Sequence, residues 1–178
     1  LMFRTHGITK EKLKGVPDGD WYYEMHFLGY NYRMTDIQAA LGNSQLKKLD
    51  IFGERRRKIA ATYNDTFNGN PYFDLPPEKD YAYSSYHLYP IRLNDEYKDM
   101  KKEVFSLLRK KGLGVQCHYI PVYLQPYYQH LGHKKKTCPE AEGFYRREIS
   151  IPIYPSMSDK DIKKVILVIL DTFKQLRA

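Results

Sequence analysis

The chain has 178 residues, a formal net charge of +8, 42% hydrophobic residues and 28% charged residues. This length and balance indicate one globular domain, or one and a fraction, and argue against disorder. The longest apolar run, Val165–Leu170, is far shorter than the ~18 residues that a membrane span needs, so we expect a soluble chain without a membrane partner. Cys117 and Cys138 are too few for a disulfide framework and fit a reducing cytosol.

The first third of the chain is predicted to change from an extended segment to a helical region. Residues 1–34 lack a regular hydrophobic period and contain several glycines, so we expect an extended segment that crosses a surface. Thr35 followed by Gln38 has the form of a capping box, which satisfies free amide groups at the start of a helix. Glycines interrupt the pattern that follows, and we therefore predict two helices, at about 35–49 and 51–67.

Three strands are predicted in the remainder of the chain. They are expected at 85–93, 113–120 and 148–153, and 68–77 carries loop signals. Pro90 has no amide N–H to donate, which places the first strand at a sheet edge or a bulge. In the second strand, the neighbours His118 and Tyr119 would point to opposite faces, so only one of them would face a pocket.

Helices are predicted between and after these strands. They are expected at 97–111, at about 124–131, at about 139–147 and from Ser158 onwards. Gly112 is a common stop for the first of them. Ser158 caps the last one, whose apolar residues from Ile162 to Phe173 form a single stripe. The pattern predicts a small α/β unit with about three strands and flanking helices.

Basic clusters at 55–57, 134–136 and 146–147, with the positive net charge, favour an anionic partner. No nucleic-acid-binding signature accompanies them, and three successive helical residues cannot form one stripe, so we expect a solvated surface. The six histidines show no metal spacing, so no metal site is predicted. Cys117 and His118 would point to opposite faces of a strand, which argues against a nucleophile–base pair.

Two stretches are more specific than these general features. One is RTHG at Arg4–Gly7 followed by GYNYRMTDIQAALGNSQLKKLD at Gly29–Asp50. The other is VQCHYIPVYLQPYY at Val115–Tyr128 followed by FYRREISIPIYPSMSDKDI at Phe144–Ile162. Together they resemble the DegT family of nucleotide-sugar aminotransferases, and the second stretch most resembles the subgroup that makes the 4-amino precursor of pseudaminic acid. The resemblance runs in order over essentially the whole chain.

The resemblance implies a fold and a place for this chain within it. Members have the aspartate-aminotransferase-like fold, a fold type I transferase that uses pyridoxal phosphate (PLP), and are about twice this length. Residues 1–34 would be the end of the large PLP-binding domain with an active-site segment, and residues 35–178 the C-terminal small domain. The family's Schiff-base lysine precedes RTHG and so lies outside this chain, which leaves no catalytic residue here and predicts that the chain alone is inactive.

The resemblance also implies binding residues. Asn31 matches the asparagine of the NYR motif, which reaches across the dimer to the cofactor phosphate of the partner subunit. Arg33 is expected to hold a substrate phosphate or carboxylate, or else to pair with an acid such as Asp36. His118 and Tyr119 match a pair associated with the sugar-nucleotide side of the pocket.

Three functions remain open at this point. The first is part of a PLP-dependent aminotransferase that moves an amino group from glutamate to a nucleotide-linked 4-keto sugar, as a cytoplasmic homodimer. The second is a PLP-dependent sugar dehydratase of the same fold, in which histidine replaces the lysine. The third is a basic polyanion-binding module. For the first two, Tyr123 is a further candidate for substrate binding through stacking on a base or covering a diphosphate.

Overall fold

The computed structural model describes residues 2–17 and 19–177, which form two compact units, Leu1–Leu49 and Asp50–Ala178. Leu1, where the predicted large-domain segment begins, lies outside the described residues, as do Asp18 and Ala178. The predicted domain boundary after residue 34 stays a prediction. Each unit has its own architecture and is described separately.

The first unit is built on two stretches of chain that run side by side. Strand β1 (Ile8–Thr9) pairs antiparallel with strand β2 (Glu24–Met25). Beyond these short strands, the backbone N–H of His6 donates to the carbonyl of Tyr30 at 2.9 Å. The predicted extended segment, residues 1–34, thus folds back on itself, with backbone hydrogen bonds between its beginning and its end.

Glycine allows these two stretches to approach closely. Gly7 has a φ of +71°, and a Cβ atom there would lie 1.8 Å from the carbonyl oxygen of Phe27. A Cβ on Gly29 would lie 2.3 Å from the backbone nitrogen of Gly7. Any larger residue at either position would force the two backbones apart, since real Cβ atoms do not approach other atoms this closely.

A carboxylate organises the loop between β1 and β2. Glu24 accepts hydrogen bonds from the backbone N–H groups of Lys14 at 2.8 Å and Gly15 at 2.6 Å, and it contacts His26 Nε2 at 2.6 Å. The bond to His26 is the largest of the contacts that lower the pKa of Glu24 to about 2. The loop is therefore held mainly by polar contacts to one ionised group.

Helix α1 (Asp36–Leu46) confirms the predicted capping box. Thr35 Oγ1 accepts from the N–H of Gln38 at 3.3 Å, and the Gln38 side chain accepts from the N–H of Thr35 at 3.0 Å. No residue of α1 is buried within this unit, and Ile37 is 83% exposed. The helix is shorter than the predicted 35–49.

The second unit packs helices against a three-stranded antiparallel sheet with the strand order β3-β4-β5. The strands are β3 (Phe73–Asp74), β4 (Tyr89–Leu93) and β5 (Glu148–Ile151). The helices are α2 (Leu49–Phe67), α3 (Lys101–Lys110), α4 (Pro126–His130), α5 (Pro139–Arg147) and α6 (Asp159–Arg177). The count of three strands agrees with the prediction, but β3 falls where a loop was expected.

The core of this unit lies between α2, α6 and the sheet. Its largest fully buried side chains include Tyr63, Phe67, Phe73, Phe173 and Ile169. The apolar stripe predicted for the last helix is confirmed, since nearly all of its members are buried here. Ser158 caps α6 as predicted, because its Oγ accepts from the N–H of Asp161 at 3.2 Å.

The predicted strand at 113–120 is wrong. Only one antiparallel bridge forms, between Gln116 and Ser150, and residue 118 then lies opposite residue 148. At that position the N–H of His118 donates to the side-chain Oε2 of Glu148 at 2.9 Å and not to its backbone carbonyl. The ladder therefore ends after a single pair, because a side chain has replaced the next backbone acceptor.

The first predicted strand, 85–93, begins only at Tyr89. Tyr86 has a φ of +45°, which is incompatible with a strand. Pro90 lies in the central strand β4 and not in an edge strand, which corrects part of the prediction. Even so, β3 pairs only with Arg92 and Leu93, so β4 has a single neighbour at Pro90 and no ladder hydrogen bond is lost.

Candidate functional site

Two predicted site residues lie together on the exposed segment just before α1. A backbone bridge to Thr5 fixes Asn31, and Arg33 Nε donates to Asn31 Oδ1 at 3.1 Å. Among the described residues, Arg33 makes no ion pair with Asp36. Both amide protons of Asn31 and the terminal N–H groups of Arg33 are left to donate. The pair is chemically suited to an anion such as a phosphate group.

A cavity of about 490 Å³ lies in the second unit, beside β5 and the start of α6. Its wall is partly apolar and partly polar, as is usual for sites that bind small molecules. The polar residues that line it are His87, Gln116, His118, Ser150, Tyr154, Asp161 and Lys164. The rim carries one cation, Lys164, and one carboxylate, Asp161, whose pKa is lowered chiefly by the hydroxyl of Ser158.

His118 is anchored in this cavity by a short network of hydrogen bonds. Its Nδ1 lies 2.9 Å from Ser150 Oγ, which in turn donates to Glu148 Oε1 at 2.5 Å. Glu148 is fully buried and Ser150 is 5% exposed. Because residues two apart on a strand share a face, β5 presents both side chains to His118.

The other predicted substrate residues do not line this cavity. Tyr119 is 71% exposed, and of the pair only His118 lines the cavity. The prediction that one of the two faces the substrate stays a prediction. The hydroxyl of Tyr123 donates to Glu142 Oε1 at 2.8 Å and lies 3.1 Å from the carbonyl oxygen of Cys138. Burial and the contact with Glu142 raise the pKa of the Tyr123 hydroxyl. These contacts give Tyr123 a structural role in holding the loop before α5, and its role in substrate binding stays a prediction.

Sequence reasoning missed Glu148 and Ser150. Both lie in the predicted third strand, and their spacing of two places them on one face. A buried acidic residue in an otherwise apolar strand was the signal that could have drawn attention to them, since buried carboxylates require partners.

Arginines of two of the basic clusters make ion pairs and hydrogen bonds within the second unit. Arg57 pairs with Glu78 at 2.7 Å, and Arg147 pairs with Asp95 at 3.1 Å. Arg56 Nη1 donates to three backbone carbonyls, those of Tyr86, His87 and Ile153, at distances from 2.9 to 3.2 Å. The expectation that these residues only form a solvated surface is therefore wrong for the cluster on α2, whose charges are used within the unit.

Neither a metal centre nor a membrane segment is found in the described parts of the chain. No group of three or more candidate ligands among residues 2–17 and 19–177 could hold a metal ion. Within the same ranges, none of the helices combines the length and apolar character that crossing a bilayer requires.

Comparison with known proteins identifies the family of this chain. Residues 1–170 match the DegT/DnrJ/EryC1/StrS aminotransferase family. The chain belongs to that family. It is 42% identical, over 177 residues, to the UDP-4-amino-4,6-dideoxy-N-acetyl-beta-L-altrosamine transaminase of Campylobacter jejuni. That alignment covers 98% of this chain and 45% of the relative.

Solved structures of aminotransferases confirm the expected fold. Helicobacter pylori PseC, an aminotransferase involved in pseudaminic acid biosynthesis, matches with a TM-score of 0.84 and 35% identity, over 98% of this chain and 45% of that one. The sugar aminotransferase Spr1654 of Streptococcus pneumoniae, in its PMP form, matches with a TM-score of 0.86 and 28% identity, over 98% and 44%. The fold is that of the C-terminal part of a fold type I PLP transferase. The chain spans a little under half the length of these relatives.

Aminotransferases of the DegT family use PLP, and the amide donor of Asn31 fits its phosphate group, while Arg33 beside it offers donors to a second anionic group. Both side chains are exposed, and their mutual hydrogen bond uses Asn31 Oδ1 and Arg33 Nε while it leaves the amide protons of Asn31 and the terminal N–H groups of Arg33 free. A phosphate, which accepts hydrogen bonds at several oxygens, is the complement of such a set.

Proposed function

We propose that this chain is the C-terminal part of a PLP-dependent aminotransferase that moves an amino group from glutamate to a nucleotide-linked 4-keto sugar. The observation that carries the proposal is the exposed donor pair of Asn31 and Arg33, located within the NYR motif of a chain that belongs to the DegT family. The similarity to a named altrosamine transaminase supports a sugar of the pseudaminic acid series as the acceptor.

In this proposal the residues of the chain bind and orient, while the cofactor supplies the chemistry. PLP, when bound, acts as the electron sink through which the amino group passes from donor to acceptor. Asn31 donates from Nδ2 to the cofactor phosphate, and Arg33, held by Asn31 Oδ1, directs its remaining N–H groups at an anionic group of a substrate. Each contact fixes a position and transfers no proton.

We further propose that the active protein is a cytoplasmic homodimer. The family builds each active site from both subunits, so Asn31 would act on the cofactor of the partner subunit. The exposed apolar residues of the first unit support a role in contacts outside this unit. These residues include Trp21, Phe27, Leu28, Ile37 and Leu41, each more than half exposed. Isolated exposed apolar residues are common, but a concentration of them marks an interaction surface.

The test is an Asn31→Ala substitution in the full-length protein that carries these residues. We expect at least a tenfold weaker retention of PLP, measured by absorbance after dialysis, because loss of one charge-assisted hydrogen bond is worth roughly a factor of ten. Asn68→Ala, at an exposed asparagine after α2, is the matched control and should retain PLP as the parent does.

Mixed dimers then test the shared site. A subunit that carries Asn31→Ala, combined with one whose cofactor lysine is replaced, should recover one intact site of two. Unchanged PLP retention by the pure Asn31→Ala protein would contradict the role of Asn31. A product that lacks a sugar hydroxyl and carries no new amino group would identify a dehydratase and overturn the aminotransferase assignment.

A further inference from the structure

The hydrogen bonds behind His118 have a direction that the chemistry of their members determines. The backbone N–H of His118 can only donate, so Glu148 Oε2 accepts from it. The hydroxyl of Ser150 donates to Glu148 Oε1 at 2.5 Å, which is a short hydrogen bond. Ser150 has a single hydroxyl proton, and this bond uses it.

The position of one imidazole proton follows from this direction. With its proton directed at Glu148, Ser150 Oγ can only accept from His118, whose Nδ1 lies 2.9 Å away. Nδ1 must therefore carry a proton. A neutral histidine protonated at Nδ1 has a lone pair on Nε2, which makes Nε2 a hydrogen-bond acceptor.

The second ring nitrogen of His118 faces solvent in the cavity. Within the described residues, Nε2 has no hydrogen-bond partner, whereas every buried side-chain nitrogen and oxygen atom there has one. Nε2 is therefore not buried. His118 is half-buried and lines the cavity, so its free nitrogen is open to a ligand bound there.

We propose that Glu148 and Ser150 are positioning residues that hold His118 protonated at Nδ1, so that Nε2 accepts a hydrogen bond from a hydroxyl or N–H group of the ligand. Glu148 is fully buried and has no lysine or arginine within ion-pair distance in the described residues, so its side-chain oxygens depend on the N–H of His118 and the hydroxyl of Ser150 for hydrogen bonds. The identification of the ligand as the nucleotide sugar rests on the proposed function. The positioning of His118 by Glu148 and Ser150 does not depend on it.

The backbone geometry supports this arrangement. The single bridge between Gln116 and Ser150 sets the register that brings His118 opposite Glu148. Its two bonds, from the N–H of Gln116 at 3.2 Å and from the N–H of Ser150 at 2.7 Å, tie the histidine segment to β5. The three members of the network are thus fixed by one short antiparallel contact.

The test is solid-state 15N NMR of the holoenzyme labelled at histidine, with His118 assigned by a His118→Gln variant. In the parent we expect His118 to be protonated at Nδ1 and unprotonated at Nε2. Glu148→Gln should reverse this, because its amide can donate to Ser150, whose proton then turns to Nδ1 and moves the histidine proton to Nε2. A merely structural role for Glu148 would not exchange the two nitrogen signals.

Ser150 variants and kinetics complete the test. Ser150→Thr should keep the parent signals, whereas Ser150→Ala should lose the protonation at Nδ1, with Ser156→Ala as the exposed control. For the nucleotide sugar, we expect Glu148→Gln to raise KM about tenfold, the value of one hydrogen bond, with kcat little changed.

The outcomes separate the two proposals. A parent His118 protonated at Nε2, or signals that Glu148→Gln leaves unchanged, would overturn the positioning role. The expected signals together with an unaffected KM would confirm the positioning and contradict the nucleotide sugar as the ligand that Nε2 meets. Addition of the nucleotide sugar to the parent should also shift the Nε2 signal, and no shift counts against that ligand in the same way.

Discussion

The two units of the molecule are stabilised in different ways. All members of the hydrophobic core lie between Ile59 and Phe173, so the described residues of the first unit contribute none of them. The first unit is held by backbone pairing, by glycine contacts and by the hydrogen bonds of Glu24. One short chain thus contains a hydrophobic core beside a segment whose order depends on polar contacts. The predicted phosphate-binding residues lie in that segment.

The largest expected difference between the units comes from truncating one apolar side chain in each. Phe173→Ala in the second unit should cost about 3–5 kcal/mol of the free energy of unfolding, because it leaves a cavity among packed aromatic rings. Ile37→Ala in the first unit should change it by about 0.5 kcal/mol or less, since that side chain is 83% exposed. Urea unfolding of the 178-residue chain measures both. Equal losses would show that the first unit has a core of its own.

Removal of a polar side chain tests whether burial alone stabilises the second unit. Arg56→Ala leaves carbonyl groups without their donor, and we expect a loss of about 1–3 kcal/mol in the same unfolding experiment. Lys58→Ala, an exposed change on the same helix, should have little effect. If the two variants unfold alike, the contacts of Arg56 contribute nothing measurable.

A backbone change tests the first unit. Gly7→Ala combines the cost of about 1–2 kcal/mol for a left-handed φ with a Cβ only 1.8 Å from Phe27 O. Hydrogen exchange should accelerate over 2–9 and 24–32 and remain unchanged in the core. Gly69→Ala, at a φ of +70° with no atom within 4 Å of the new Cβ, separates the φ cost from the collision. Slow exchange at 24–32 in Gly7→Ala would contradict the close approach.

The smallest effects should appear on acidification, where both units have a sensitive carboxylate. Contacts to Arg57 and to the N–H of Ser84 lower the pKa of Glu78 from 4.5 to about 2, and Glu24 has a similar value. A lowered pKa means that the carboxylate stabilises the fold above pH 4.5, and that this contribution is lost as the pH falls towards 2. Glu78→Gln should therefore flatten the pH dependence of unfolding in that range.

Glu24→Gln supplies the counterpart in the first unit. It should accelerate exchange locally around Lys14 and Gly15 at neutral pH and leave global unfolding almost unchanged. A change in global unfolding as large as that of Glu78→Gln would show that the two units unfold together.

Much of the fold could be predicted because local sequence determines it. The capping box at Thr35, the stop at Gly112 and the stripe of α6 depend on residues within a few positions of each other. The family motifs also pointed to Asn31 and Arg33, which the structure places in contact. A structural feature can be recognised in the sequence when all of its residues lie within one or two helical turns of each other.

The remainder depends on partners that are distant along the chain. The period-2 pattern of 113–120 gave no sign that a carboxylate thirty residues later would take the N–H of His118 and end the strand. In the same way, the arginine cluster on α2 indicated a solvated surface because the carbonyls that it binds lie 27 to 102 positions away along the chain. The sequence shows which residues can donate a hydrogen bond, but it does not show which distant acceptor the fold places next to them.

The guanidinium group of Arg56 affects the width of the cavity in the second unit. His87 and Ile153 both line it, from different parts of the chain, and Arg56 holds the carbonyls of both while it lies outside the lining itself. Arg56 thus links the two walls of the cavity, because its guanidinium group binds a backbone carbonyl of each. Substitution of Arg56 on α2 should therefore change the width of this cavity although Arg56 does not line it.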